Sequence, residues 1–425
     1  MSLTVKFEKL LAGRSELFRA SEVRELLKVT EGGDVISLAG GYPDPRVFPK
    51  DDLAEIAKEV ISDEASRALQ YSPTAGVTEF REELKKFMRR RGVTVRSDDD
   101  IIVTTGSQQA LDLVARTFVE KDDEIIVELP TYLAALNAFR LSKPGMTAIP
   151  LDESGMRTDI LESEIKRLKW LGREIKFIYT IPVAHNPTGI TMSLERKKEL
   201  LEIASKYDLV IIEDDPYSYF VYDDGVDITP IKTLDKEGRV VYMSTFSKIL
   251  APGLRIGWVL GNEYVTNVLE RAKQTADLHT STLTQIIAME ALRRGVVDKT
   301  IDKARQIYRV KRDAMLEALK KYMVEEAWWP NPVGGFFVMV FLPSYDIDTK
   351  KMLPEALKKG VAYVPGASFF ANGMGWNTMR LNFSYPSPEQ IDEGVKRLAG
   401  LIQEKLTGEK VRITPISFFK SGGMF

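Results

Sequence analysis

Between residues 100 and 260, short apolar stretches alternate with amphipathic ones, and this rhythm constrains the fold more than any other feature of the chain. IIVTT, EIIVEL, FIYTI, LVIIE, VVYMS and IGWVL read as strands. Runs of this kind fit strands covered on both faces. SQQALDLVARTFV and SLERKKELLEIASKY, two of the intervening segments, carry apolar residues at helical spacing. Strands buried on both sides and joined by helices predict an α/β fold with a parallel or mixed sheet flanked by helices.

Near Lys299 the rhythm changes. A long charged helix, TIDKARQIYRVKRDAMLEALKKY, precedes GGFFVMVFLP, a helix before VAYVP, the strand MRLNF and a final helix from Pro388. That pattern predicts a smaller α+β domain. A chain of 425 residues exceeds one ordinary core, so two domains are expected. The large one is read as 51–300 and the small one as 301–425, with a tail after about residue 406. Residues 1–50 are too short for a domain and are expected to pack across the others. Within them, residues 21–29 have helical spacing and VISLAGGYPDPRVFP is loop-like; DDLAEIAKEVI, just beyond, reads as a capped helix.

Composition narrows the chemistry. Basic and acidic residues number 59 and 61, which leaves no basic excess for nucleic acid. No apolar run is long enough to span a bilayer, and MSLTVKFEKLLAGRSELF lacks the apolar centre of a signal peptide. A cytoplasmic protein without nucleic-acid or membrane partners is expected. Cysteine is absent, and the histidines are His185 and His279. Thiolate nucleophiles, Ser-His-Asp triads and metal sites are therefore poorly supplied, and no metal is expected. Catalysis has to rest on Lys, Tyr, Asp and Arg, or on a cofactor.

Ligands of open α/β sheets bind beyond the carboxyl ends of the strands. After IIVTT, Gly106-Ser107-Gln108-Gln109 opens a helix; after EIIVEL comes Pro130-Thr131-Tyr132. His185-Asn186-Pro187-Thr188-Gly189 follows FIYTI, and Asp214-Asp215-Pro216-Tyr217 follows LVIIE. VVYMS leads into Thr245, Ser247 and Lys248, with Arg255 further along. Singly these are a helix cap, a turn, a loop aromatic and surface charges. Together they supply what pyridoxal 5′-phosphate (PLP) needs. Its aldehyde takes a lysine, Lys248. Its ring nitrogen needs a buried carboxylate, which Asp214 offers, with Asp215 the next candidate. Tyr217 and Asn186 can donate to its phenolate, and Tyr132 offers a flat face. Its phosphate suits the helix start at Ser107 and Gln108 and the fork of Arg255, with hydroxyls from Thr245 and Ser247.

The ordered set GSQQALDL, HNPTG, EDDPY, STFSK and APGLRIGW resembles the class I/II aminotransferases of PLP fold type I, over roughly residues 15–405. ASEVRELLK, LAGGYPD, LQYSPTAG, KQTADLHTS and PGASFFANG are similar to the 2-aminoadipate/kynurenine and the archaeal aromatic or multi-substrate aminotransferases. The resemblance implies ping-pong transamination with Lys248, Asp214 and Tyr217 as catalytic residues. The donor would be an aromatic, aliphatic or 2-aminoadipate-type amino acid and the acceptor 2-oxoglutarate. It also implies an obligate homodimer in which Tyr71 reaches the PLP phosphate of the other subunit. Arg380 would grip the substrate α-carboxylate, helped by Asn186 and Gly40. His185 has no assigned role, and TGEKVRITPISFFKSGGMF matches nothing in the family.

The cofactor anchors do not decide which Cα bond breaks, so a PLP-dependent lyase or decarboxylase on the same fold stays open. So does a non-catalytic PLP- or amino-acid-sensing domain, of the kind attached to winged-helix regulators. Fewer than 40 residues before LAGG and a net charge of −2 weigh against that sensor.

In the resembling family the N-terminal helix lies over the substrate side chain, and here that helix carries Ser21 and Arg24. A mobile guanidinium can meet a distal carboxylate and swing aside for an apolar group. Arg24→Ala is expected to raise KM for 2-oxoglutarate and 2-aminoadipate on the order of 10-fold or more, sparing aromatic and leucine half-reactions. Equal losses for acidic and apolar donors in half-reaction kinetics would reduce Arg24 to a support for its helix.

Overall fold

The computed structural model of the chain describes residues 9–18, 25–26, 35–343 and 347–408. After a two-residue strand, β1 (Ile36–Ser37), come the strands of a main sheet. They are β2 (Asp99–Thr104), β3 (Glu124–Leu129), β4 (Gly145–Asp152), β5 (Gly155–Met156), β6 (Ile175–Thr180), β7 (Val210–Asp214), β8 (Val240–Thr245) and β9 (Gly257–Asn262). Their spatial order is β2-β9-β8-β7-β6-β3-β4-β5. The run β8-β7-β6-β3-β4 is parallel. β9 is inserted antiparallel between β8 and β2, and β5 folds back on β4. The sheet is thus mixed.

The period of two along each strand divides the flanking cores. Val127, Tyr179 and Ile212 face helices Ser107–Phe118 and Leu133–Arg140 through Leu111 and Leu136. Their chain neighbours Ile126, Ile178 and Ile211 pack with Leu161 and Leu200 of helices Thr158–Trp170 and Leu194–Tyr207. Every residue of β3 and β8 is buried, which is why both read as continuous apolar runs. β4 escapes that reading. Most of its residues are half-exposed and it includes Thr147 and Pro150, so no apolar run marks it.

A second sheet follows the long helix Val296–Tyr322. It uses β10 (Phe337–Phe341), β12 (Val364–Pro365) and β13 (Thr378–Asn382) in the antiparallel order β10-β13-β12. β11 (Val361–Ala362) pairs instead with β1, which joins the start of the described N-terminal stretch to this region. The expected division at residue 300 falls inside the 27-residue helix. The helix read at DDLAEIAKEVI spans Lys50–Asp63 and has no side-chain cap. Pro49 precedes it, and Asp51 and Asp52 lie in the first turn, where carboxylates oppose the positive end of the helix. Of residues 21–29, the described pair 25–26 is helical; Ser21 and Arg24 lie outside the described residues, as do residues 409–425 of the tail. Among the described residues no helix is long and apolar enough to cross a membrane.

One buried ion pair fastens the loop after β1. Lys311 Nζ donates to Asp44 Oδ2 at 2.6 Å and to the carbonyls of Ser384 and Tyr385 at 2.7 and 3.0 Å. Arg46 Nη2 also donates to Asp44 Oδ2, at 2.6 Å. Burial alone would push the Asp44 carboxyl up, but the hydrogen bonds from Arg46 and Lys311 outweigh it and bring it down to about 2. A carboxyl depressed in the folded state stabilises above its ordinary 3.8, and that contribution fades as pH falls toward about 2. Asp44→Asn strands the buried Lys311 ammonium and is expected to cost about 3–5 kcal/mol at neutral pH. Denaturant titrations should also show a smaller loss of stability for the variant than for wild type between about pH 4 and about pH 2.

Candidate active site

Strand β8 ends at Thr245, whose hydroxyl accepts from Ser247 N at 3.0 Å and starts the single helical turn Phe246–Ile249. That turn carries Lys248 back over the strand end. Its Nζ donates to the Gly41 carbonyl at 2.7 Å and sits 5.6 Å from the centre of the Phe336 ring. Burial, followed by the charges of Arg380 and Arg255, lowers the amine from 10.5 to about 8. Lys248 is a partly buried, hydrogen-bonded amine rather than a solvated strand end.

The two adjacent aspartates part company. Asp215 is fully engaged: Oδ2 accepts from Ser218 Oγ at 2.7 Å and Tyr242 OH at 2.9 Å, and Oδ1 from Ser218 N at 3.0 Å. Asp214, equally buried, accepts from Tyr179 OH on Oδ2 at 2.8 Å, while Oδ1 has no partner among the described residues. Burial raises its carboxyl to about 7; the Tyr179 hydrogen bond opposes this, and Asp215 and Glu128 add to it. A bare buried carboxylate oxygen is costly, so Oδ1 marks the place of a donor from outside the chain.

Arg380 lies in β13, opposite Met339 and Val364. Its guanidinium is held between the rings of Phe337 and Phe369, at 4.1 and 5.0 Å from their centres. Nη1 donates to Asn186 Oδ1 and Nη2 to the Ala39 carbonyl, each at 2.9 Å, and buried Nε has no partner among the described residues. Burial lowers it to about 10, which leaves it cationic at neutral pH. Gly40 is buried between the two residues whose carbonyls hold Arg380 and Lys248. Tyr217 is buried against Phe336 and Phe337, with ring centres 5.3 and 5.9 Å away. Desolvation and the nearby Tyr132 keep its phenol protonated far above the ordinary range. Tyr132, half-buried at the start of helix Leu133–Arg140, acts electrostatically on Tyr217, Arg380 and Tyr179.

Beyond the lysine, the chain packs too tightly for side chains. Gly257 pairs with both Thr104 and Thr245, bringing three strand ends together. A Cβ on Gly257 would lie 2.7 Å from Gly106 C and 2.8 Å from Ser107 N. Gly106, at φ +73°, caps the helix Ser107–Phe118 without a side chain, and a Cβ there would lie 2.5 Å from Arg255 Nη2. Arg255 itself is exposed and donates to the Thr105 and Pro252 carbonyls at 3.4 and 3.3 Å. Thr245 Oγ1 and Ser247 Oγ are 2.9 Å apart beside it. Gln108 and Arg255 line an open cleft of about 580 Å³ with Thr105 and Asp277. Helix start, guanidinium and hydroxyls make a corner fit for a phosphate dianion. A larger cleft of about 700 Å³, between residues 190–195 and 328–333, contains none of these side chains.

His185 acquires a structural place. Its Nδ1 pairs with Thr188 Oγ1 at 2.8 Å, and its Nε2 is 3.1 Å from Glu128 Oε2. Glu128 also accepts from Thr180 Oγ1 and Ile181 N, at 2.7 and 3.0 Å. The histidine thereby bonds within the turn that presents Asn186 and sets its ring against Glu128, near the ends of β3 and β6. Tyr71 stands apart, 77% exposed, its ring edge-on to His279 at 5.6 Å. The sequence reading missed Tyr179, Glu128, Ala39, Gly41, Phe337 and Phe369. For Glu128 and Tyr179, a polar atom inside an otherwise apolar strand was the available signal.

The family of class I and II aminotransferases matches residues 34–398. The chain belongs to this family. An aromatic-amino-acid aminotransferase of Thermococcus litoralis is 49% identical over 403 residues, covering 95% of this chain and 96% of that one. A 2-aminoadipate transaminase of Thermus thermophilus is 38% identical over 390 residues, covering 91% and 94%. The solved structure of a Pyrococcus horikoshii kynurenine aminotransferase, in complex with PMP, superposes with a TM-score of 0.91 at 48% identity. It covers 94% of this chain and 98% of its own. This aminotransferase has the PLP fold type I, and PLP is its cofactor. The bare Asp214 Oδ1 and the glycine-lined corner beside Arg255 fit that group.

Only the neutral amine of Lys248 reacts with an electrophile. Labelling of apoprotein with an amine-selective reagent across pH, mapped by peptide, is expected to reach half-maximum at Lys248 near about pH 8. A midpoint close to the ordinary 10.5 would mean the amine is solvated.

Proposed function

We propose that this aminotransferase moves an amino group from an aromatic, aliphatic or 2-aminoadipate-type amino acid to 2-oxoglutarate. In this ping-pong scheme the donor leaves as its 2-oxo acid before the acceptor enters. One observation carries the reading: the carbonyls of Ala39 and Gly41 hold the guanidinium of Arg380 and the amine of Lys248 side by side. An α-amino acid bears its carboxylate one bond from Cα. A carboxylate held by Arg380 therefore keeps Cα in the neighbourhood of Lys248.

PLP, when bound, supplies the carbonyl that takes the amino group and the electron sink that acidifies the Cα–H bond. Asp214 Oδ1 would meet its ring nitrogen, Tyr217 and Asn186 its phenolate, and Tyr132 its ring face. Ser107, Gln108, Thr245, Ser247 and Arg255 would hold its phosphate, and Lys248 its aldehyde. The amine of Lys248, at about 8, is poised to take the Cα proton and return it at neutral pH. The protonated phenol of Tyr217 donates without competing for that proton. The rings of Phe337 and Phe369 support an apolar donor side chain, and the names of the relatives favour aromatic, kynurenine and 2-aminoadipate donors. The exposure of Tyr71 supports a homodimer in which it serves the partner's phosphate corner.

Holoenzyme given a donor without acceptor is expected to release about one equivalent of 2-oxo acid per subunit, a stoichiometry fixed by the proposed scheme. Later addition of 2-oxoglutarate should yield the matching glutamate. Continuous product release without acceptor, or carbon dioxide release, would instead mark a lyase or decarboxylase; PLP binding without product would mark a sensor. Mixing Lys248→Ala chains with Tyr71→Phe chains should restore part of the activity through hybrid dimers. A fully active monomer in sedimentation would remove Tyr71 from the scheme.

A further inference from the structure

Tyr179 carries a fully buried hydroxyl that the scheme above does not use. In the register of β6 and β7 it lies opposite Ile212. Asp214, two residues further on the same face, is its diagonal neighbour, at a separation that a long aromatic side chain spans. The phenol covers that distance and donates to Asp214 Oδ2 at 2.8 Å. Its ring is braced edge-on by Phe139, with centres 5.3 Å apart and planes at 77°. Desolvation and the neighbouring Asp214 hold the phenol's pKa well above the ordinary value, so it stays a donor. A carboxyl without such a partner is free to tilt its plane about the Cβ–Cγ bond. Here rotation would break the buried hydrogen bond, and the oxygen left free is Oδ1.

We propose that Tyr179 is a positioning residue for the cofactor's ring nitrogen: by holding one oxygen of Asp214 it fixes the plane of the carboxyl group so that the other oxygen, Oδ1, faces that nitrogen. The proposal rests on the role proposed for Asp214, and it goes further by assigning the orientation of that carboxyl to a residue of another strand. The hydrogen bond also opposes the protonation of Asp214 that burial, Asp215 and Glu128 favour.

The test compares apoprotein binding of PLP with that of its carbocyclic isostere, in which C–H replaces the ring nitrogen. Wild type is expected to prefer PLP, because the isostere offers Oδ1 no N–H. Tyr179→Phe keeps the braced ring and loses the donor; PLP should bind on the order of tenfold more weakly, with little change for the isostere. In an Asp214→Asn background the same change should cost nothing further, since the coupling runs through the carboxylate. Equal losses for both ligands would make Tyr179 a packing residue and overturn the proposal, as would an unchanged preference for PLP. No preference in wild type would overturn the role of Asp214 itself. Should Tyr179→Phe fail to fold, Tyr179→3-fluorotyrosine keeps the bond and strengthens the donor. It should increase the preference for PLP, and an unchanged preference would overturn the proposal.

Discussion

The site depends on one buried carboxyl with an unpaired oxygen. Asp214 lies at the end of a parallel strand in the middle of the main sheet, where Oδ1 is buried and meets no hydrogen-bond donor among the described residues. An isolated group of this kind would protonate or turn away. It persists because the sheet holds what surrounds it: Tyr179 from β6 on one oxygen and Asp215 spent on Ser218 and Tyr242. Under the proposed scheme a protonated ring nitrogen would relieve this unsatisfied acceptor, and cofactor affinity and ring protonation would then come from the same atom.

Two arginines divide the remaining work by their surroundings. Arg380 is buried and stacked between two rings, which orients the fork and leaves Nε without a partner among the described residues. Arg255 is exposed, held by two long bonds to backbone carbonyls and set against a helix start stripped of side chains. A dianion proposed to bind there would share its contacts between the helix start, the hydroxyls of Thr245 and Ser247 and this guanidinium. Both charges also press on Lys248, and with its burial they favour the neutral amine. In the proposed scheme the two cations that would meet the ends of the ligands also lower the amine between them.

Much of this was legible in the chain, for identifiable reasons. Parallel strands such as β3 and β8 are buried throughout, so they appear as unbroken apolar runs whose ends can be located. The groups at those ends were then readable as a set, although NPTG or a lone arginine says little. β4 was not legible, because its half-exposed residues and Pro150 interrupt the pattern that betrays its neighbours. Tyr179 and Glu128 were hidden by the same logic in reverse: each sits inside an apolar run that explains the strand without them. Ala39 and Gly41 act through backbone carbonyls, which no side-chain pattern records. His185 needed the position of Glu128, a contact 57 residues away in sequence.

The loop after β1 brings these parts under one constraint. Its carbonyls at Ala39 and Gly41 hold Arg380 from the second sheet and Lys248 from the main sheet. A few residues on, Asp44 is locked to Lys311 of the long helix, and Lys311 also takes the carbonyls of Ser384 and Tyr385 just past β13. Three separate elements are therefore indexed to one short strap. Gly41 is pressed against the Phe337 ring, since a Cβ there would lie 3.0 Å from that ring's edge. A larger residue would displace either the carbonyl that holds Lys248 or the ring that stacks on Arg380. Gly41 of LAGGYPD is thus explained by clearance: the backbone must come close enough to hold an amine beside the ring that stacks on a guanidinium, and a side chain would keep it away.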